Sequence, residues 1–181
     1  MPETILVAYG TKHGSTREVA ETVAASIARC GLEVETRPAG QVDDLSPYGG
    51  VVVGGAIYLG RWHPEAAGFL ERHRRALAGL PVAVFGMGPR TLKAEEVASS
   101  RAQIEKSLAR VPEVEPLTIA VFGGVIDPRT LRFPYNRLPA SDARDWDAIR
   151  DWAFDVAAAF DFGKTAETER DHRSELQHVP R

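Results

Sequence analysis

Five short runs of β-branched and apolar residues recur along the chain and leave few folds open: "ILVAY" at 5–9, "LEVETR" at 32–37, "VVVGG" at 51–55, "VAVFG" at 82–86 and "LTIAVFGG" at 117–124. Each has the length and composition of a strand. Four are almost continuously apolar, as strands covered by helices on both faces must be. The run 32–37 instead alternates Leu32, Val34 and Thr36 with Glu33, Glu35 and Arg37, the pattern of an edge strand. Helical spacings fill the gaps. Val19, Val23 and Ile27 recur four apart with Arg17, Glu18 and Glu21 outward, and Gly31 stands where a helix would stop. "HPEAAGFLERHRRAL" opens at His63–Pro64 and carries a stripe of Phe69, Leu70, His73 and Leu77. Residues 92–111 and 145–160 are amphipathic at the same period, whereas "PAGQVDDLSPYG" has room only for a short helix before Pro47. Strands alternating with helices imply parallel pairing and right-handed crossovers. All carboxyl ends then lie on one edge, where such sheets bind ligands.

With 181 residues, 44% of them hydrophobic, the chain can bury one substantial core. One domain is expected over 1–160, followed by a charged, solvated tail over 161–181 whose only large apolar residues are Phe162, Leu176 and Val179. A net charge of -3 gives no general attraction for nucleic acid, so no such partner is expected. No apolar run approaches the roughly 20 residues of a transmembrane helix. A single cysteine and an N-terminus that soon turns polar fit the cytoplasm. Cys30 reads as a small packing residue beside Gly31, and His73 as a boundary residue of its helix. No spacing of His, Cys and carboxylates makes a metal site.

The stretch "YGTKHGSTRE" at 9–18 lies between the first strand and its helix. Ser15 with Glu18 matches a capping box, which predicts a helix beginning just after Ser15 with its free N–H groups facing back into the loop. Gly10 and Gly14 permit a tight turn, Thr11, Ser15 and Thr16 offer hydroxyls, and the helix dipole favours an anion. The stretch matches neither the nucleoside-triphosphate loop nor the dinucleotide fingerprint, so a terminal phosphomonoester fits better than either, and the alternative is an ordinary capped turn that binds nothing. After the third strand, "GGAIYLGRWHPE" crowds Ile57, Tyr58, Leu59 and Trp62 into a loop expected to be wet; a flat heteroaromatic ligand would give them a role, and the alternative is that Trp62 and Leu59 cover the end of the following helix. "GMGPRT" at 86–91 and "GGVIDP" at 123–128 add glycine-rich turns at the same edge. The segment from Gly123 to Arg144 lacks periodicity and carries Arg129, Arg132, Arg137 and Arg144 with Phe133 and Tyr135. Guanidinium groups there suit a carboxylated planar substrate, and the alternative is a solvated arginine-rich loop packed by its two aromatics.

"ILVAYGTKHGSTREVAETVA", "VVVGGAIYLGRWH" and "AVFGGVIDPRTLRF" followed by "DWDAIRDWA" resemble the flavodoxin-like, FMN-dependent family that includes menaquinone-dependent protoporphyrinogen IX dehydrogenases, over about residues 4–160. The resemblance implies an α/β fold: a flavodoxin-like, doubly wound five-stranded parallel sheet, order 2-1-3-4-5, with helices on both faces. It implies FMN, with the phosphate on Thr11, Lys12, His13, Gly14, Ser15 and Thr16. The ring falls to Ala56, Ile57, Tyr58, Leu59 and Gly60, with Met87, Gly88, Pro89, Gly123, Gly124 and Asp127 as further members. No catalytic side chain is expected, because the flavin performs the chemistry. Trp62, Arg129 and Arg132 are the substrate candidates. Where those dehydrogenases carry a longer apolar and basic insertion before the last helix, this chain has only "NRLPASDAR". Three readings stay open: an FMN-dependent oxidoreductase acting on a small or porphyrin-like substrate, an electron carrier serving a redox partner protein, and a cofactor-free binding module.

Overall fold

The computed structural model describes residues 4–160; the expected tail at 161–181 lies outside the described residues. In chain order the elements are β1 (Thr4–Gly10), α1 (Ser15–Ala28), β2 (Val34–Pro38), β3 (Tyr48–Tyr58), β4 (Arg61–Trp62), α2 (Pro64–Leu77), β5 (Val82–Met87), α3 (Ala94–Leu108), β6 (Thr118–Phe122), β7 (Val125–Ile126), β8 (Ser141–Asp142) and α4 (146–160). Parallel pairing joins the long strands in the order β2-β1-β3-β5-β6, and β4 folds back antiparallel onto the end of β3. Setting aside the two-residue β4, this is the expected order 2-1-3-4-5. The alternating run forms the edge strand β2, as its pattern requires.

Successive side chains of a strand point to opposite faces, and the central strands divide their apolar residues accordingly. Leu6, Ala8, Val51, Val53, Val82 and Val84 pack with Phe69 and Leu70 of α2 and Ile104 of α3. Ile5, Val7, Val52, Ala83 and Phe85 pack with Val19, Val23 and Ile27 of α1 and Ile149, Val156 and Phe160 of α4. Phe85, Phe122 and Trp152 form a trio on that second face, with centroids 5.5–5.8 Å apart. The Trp152 Nε1–H donates to Thr118 Oγ1 at 3.2 Å, which ties α4 to β6.

Helix ends follow local chemistry. Gly31 closes α1 at φ +86°, a left-handed backbone that glycine takes without a Cβ penalty. Pro64 opens α2 behind His63, whose Nδ1 accepts from the Glu65 N–H at 3.2 Å. Asp145 Oδ1 accepts from the N–H groups of Asp147 and Ala148 at the start of α4. The connection after β2 holds only a 3-10 turn, Ala39–Gln41. Cys30 departs from expectation, because it is exposed rather than packed. His73 sits at the helix boundary as expected, against Phe69 and within 3.0 Å of the Val42 carbonyl. Among the described residues no helix is long and apolar enough to cross a membrane, and no group of three or more potential metal ligands occurs.

β3 passes under the Phe85 ring at Gly54, where an added Cβ would lie 2.0 Å from Phe85 Cζ. Gly54→Ala should therefore displace that ring and lower the unfolding free energy by about 1–3 kcal/mol in a urea titration. Gly40→Ala, whose nearest neighbour is the Glu65 carboxylate at 3.5 Å, should stay within about 0.5 kcal/mol of the parent.

Candidate functional site

The turn after β1 leaves a helix terminus open. Gly14 stands at φ +88° in the N-cap place, its N–H donating to Thr11 Oγ1 at 2.9 Å, and no side chain caps α1. The helix thus begins at Ser15, one residue earlier than the capping box requires. Ser15 becomes the first helical residue and Glu18 the fourth, out of register for reciprocal capping. Glu18 instead pairs with Arg144, 2.5 Å away. Among the described residues the N–H groups of Ser15, Thr16 and Arg17 have no acceptor, and the first intrahelical bond runs from the Glu18 N–H to the Gly14 carbonyl. Thr16 is fully buried and its Oγ1 lacks a partner. A buried hydroxyl without a hydrogen bond costs about 1–3 kcal/mol. An occupant rich in acceptor oxygens removes that cost, and exposed Lys12 supplies charge beside it.

The neighbouring turns close over this loop. Tyr58 pairs with Arg61 across a two-residue hairpin, Leu59–Gly60, with φ of +49° and +69°. Both values belong to the tight turn that matches strand twist, and glycine serves it at Gly60. Leucine rarely takes positive φ, yet Leu59 does so as an exposed residue, 64% accessible. The Lys12 ammonium lies 4.9 Å from the Tyr58 ring centroid, linking the first and third loops. Beneath them, Ile57 packs against Gly86 and Gly88, where an added Cβ would come within 3.0 and 2.8 Å of it. Hydrogen bonds from Gly88 N–H to the Phe122 carbonyl and from Gly124 N–H to the Pro89 carbonyl stitch the loops after β5 and β6 together. Met87 is buried in the core and Gly123 against Ala143, so they can offer backbone to a ligand but little side chain.

Trp62 differs from expectation. It is 4% exposed, with its Nε1–H donating to the Gly55 carbonyl at 3.1 Å, so it supports the hairpin from below and presents no face to a substrate. Gly55 has no side chain because that indole occupies the space. The long connection is also more ordered than its lack of periodicity suggests. β7 and β8 pair antiparallel at its base, and 3-10 turns occupy Pro128–Thr130 and Tyr135–Arg137. Its arginines have separate fates. Arg129 is held by Asp127 through two contacts of 2.9 Å, and this pairing lowers the Asp127 pKa. Arg144 pairs inward with Asp142 and Glu18. Arg137 lies over Phe133 at 5.0 Å. Arg132 is exposed, without a side-chain hydrogen bond or ion pair among the described residues.

His63, legible in the sequence only as a helix entrance, belongs to the site's margin. An added Cβ on Gly10 would lie 2.6 Å from its Nδ1, so the imidazole abuts the end of β1. Burial lowers its pKa; the Glu65 charge opposes this and Lys12 adds to it. A histidine preceding proline signals a helix start, but its approach to Gly10 depends on the crossover and leaves no local pattern.

A family model described as a flavodoxin domain matches residues 6–137. The chain belongs to the flavodoxin domain family. Among curated relatives, protoporphyrinogen IX dehydrogenase [quinone] of Escherichia coli (strain K12) is 23% identical over 134 residues, covering 73% of this chain and 71% of the relative. Among solved structures, oxidised flavodoxin 2 from Bacillus cereus superposes with a TM-score of 0.59 at 23% identity, covering 86% of this chain and 99% of the other. A flavodoxin from the domain Archaea gives 0.58 at 14% identity, covering 87% and 99%. The flavodoxin domain makes FMN the implied cofactor. The open N–H groups and orphaned Thr16 hydroxyl at the start of α1 fit a phosphate.

Thr16→Val keeps the side chain's shape while removing the orphaned hydroxyl. Without flavin the variant should gain about 1 kcal/mol in urea unfolding, while its FMN affinity should fall about tenfold in a fluorescence-quenching titration. His63 has a folded pKa below its ordinary 6.5, so its contribution is present above that pH and lost as pH falls below it, when charging Nδ1 also breaks the α2 cap. Thermal unfolding at pH 5 and 7.5 should show a smaller loss for His63→Asn, which can still cap the helix.

Proposed function

We propose that this flavodoxin-type protein is an FMN-dependent oxidoreductase acting on an anionic planar substrate of the porphyrin class. The observation that carries the cofactor half is the fully buried, unpartnered Thr16 hydroxyl beside three helix N–H groups without acceptors. In this reading Ser15, Thr16 and Arg17 hold the phosphate by backbone N–H groups, the Thr16 hydroxyl donates to it, and Lys12 offsets its charge. Thr11, His13 and Gly14 shape the loop. Ala56 to Gly60, Met87 to Pro89, Gly123, Gly124 and Asp127 flank the ring, with Tyr58 and Leu59 shielding it from water. Bound FMN supplies the electron-transfer chemistry, and the chain supplies orientation, electrostatics and access.

The substrate half is supported by the outer connection. Phe133 is 69% exposed, Tyr135 is exposed beside it, and Arg132 and Arg137 flank the pair. Apolar rings with guanidinium groups suit a flat molecule that ends in carboxylates. The 23% identical relative named for protoporphyrinogen IX supports the same class. Arg129 has less to offer, because Asp127 already engages it.

An electron carrier without its own organic substrate is the second reading. It is favoured by the internal pairing of Arg129 and Arg144, which leaves Arg132 and Arg137 to meet an anion. FMN-loaded protein incubated with protoporphyrinogen IX and a soluble quinone, under low oxygen, distinguishes them. The oxidoreductase reading expects porphyrin fluorescence above the FMN-only control and a several-fold higher KM in Arg132→Ala. Loaded protein that turns over nothing until a reductase or acceptor protein is added supports the carrier. Purified protein that binds no FMN would remove both and leave a cofactor-free module.

A further inference from the structure

Arg144 is the least exposed of the ion-paired arginines, its side chain 10% accessible, and it sits where two distant parts of the chain meet. Its Nη1 donates to Glu18 at 2.5 Å, and its Nε and Nη2 donate to Asp142 at 2.9 and 2.6 Å. Its guanidinium lies 4.7 Å from the Trp146 ring centroid. Hydrogen bonds to Asp142 and Glu18 raise its pKa, against burial. The contact with Glu18 spans 126 residues of sequence. It joins the first turn of α1 to the base of the outer connection.

Glu18 is the reason this matters. A helical side chain leans toward the helix N-terminus and covers the turn before its own Cα. For Glu18 that turn is Gly14 and Ser15, beside the N–H groups of Ser15, Thr16 and Arg17 that have no acceptor. A carboxylate there is favoured by the dipole and could accept from those groups itself, becoming an internal competitor for any anion. In the structure it does not do so: Glu18 accepts from Arg144 and from no N–H of the terminus. No side chain caps α1.

We propose that Arg144 is a positioning residue for the phosphate site. By holding the Glu18 carboxylate away from the start of α1 and neutralising it, Arg144 keeps the terminus free for a dianion. The inference rests on the FMN reading and adds a mechanism for selecting the phosphorylated flavin over riboflavin. Arg144 touches no ligand in this scheme, and Asp142 and Trp146 fix the guanidinium so that it reaches Glu18 in one geometry.

The test compares dissociation constants for FMN and riboflavin, which differ only in the phosphate, by quenching of flavin fluorescence. Arg144→Met removes the charge while keeping an unbranched chain over Trp146. It should weaken FMN binding about tenfold, the size of one charge effect at a helix terminus, and leave riboflavin binding unchanged. Adding Glu18→Gln to that variant should restore FMN affinity to within about twofold of the parent, because no competing carboxylate remains. An unchanged FMN-to-riboflavin ratio in Arg144→Met overturns the proposal, as does a double variant as weak as the single one. The second outcome would mean that Arg144 only braces the outer connection. Should Arg144→Met fail to fold, Glu18→Gln alone decides: FMN affinity equal to or above the parent's supports the proposal, and a selective loss of FMN affinity overturns it. A parent protein that binds FMN no more tightly than riboflavin would show instead that the phosphate assignment has failed.

Discussion

β1, β3 and β5 are apolar on both faces and paired on both edges, and this double burial governs the rest of the molecule. Their backbone polar groups can be satisfied only within the sheet, and their side chains only by helices above and below. Along these strands polar chemistry has nowhere to collect except beyond the ends. Parallel pairing then puts every carboxyl end on one side, so the sheet brings the turns after β1, β3, β5 and β6 together before their own contacts add to it. The site is a consequence of the core's geometry before it is a property of its own residues.

The same constraint explains what could be read from the chain in advance. A strand buried on both faces declares itself by a continuous apolar run, and an edge strand by alternation. The order of elements was therefore legible, with the family resemblance supplying the strand order itself. In the first loop, glycines and hydroxyls between a strand and a helix marked a tight turn, whether or not it holds a ligand. The register of that turn was not legible. Whether Gly14 or Ser15 takes the N-cap place depends on Gly14 reaching φ +88° while Thr11 accepts its N–H, a balance of one turn against another. Once the helix starts one residue early, Glu18 is left for a partner far along the chain.

Long-range placement accounts for two of the three remaining surprises, Trp62 and His63. Trp62 reads as an exposed aromatic because its neighbours are polar and glycine-rich, but Gly55 on the strand it pairs with leaves space for an indole. Arg129, Arg132, Arg137 and Arg144 look equivalent in sequence, yet Asp127 and Asp142, each two residues before an arginine, engage two of them. His63 joins the site through a crossover that carries α2 back toward β1. The Trp62 and His63 contacts have no periodic signature, because each is made where separate elements meet, whereas the two aspartate–arginine pairs are local contacts two residues apart.

Two backbone hydrogen bonds between the turns after β5 and β6 have a mechanical consequence. With Gly88 bonded to Phe122 and Gly124 to Pro89, neither turn can swing outward alone without breaking a link to its neighbour. The pair behaves as a yoke, further held by the bond from Ala143 N–H to the Gly124 carbonyl. Among the described residues, the Leu59–Gly60 tip of the hairpin makes no such backbone bond. The yoked turns are thus braced by backbone, whereas the hairpin is braced by side chains, through Ile57 against Gly86 and Gly88 and through the Trp62 indole on the Gly55 carbonyl.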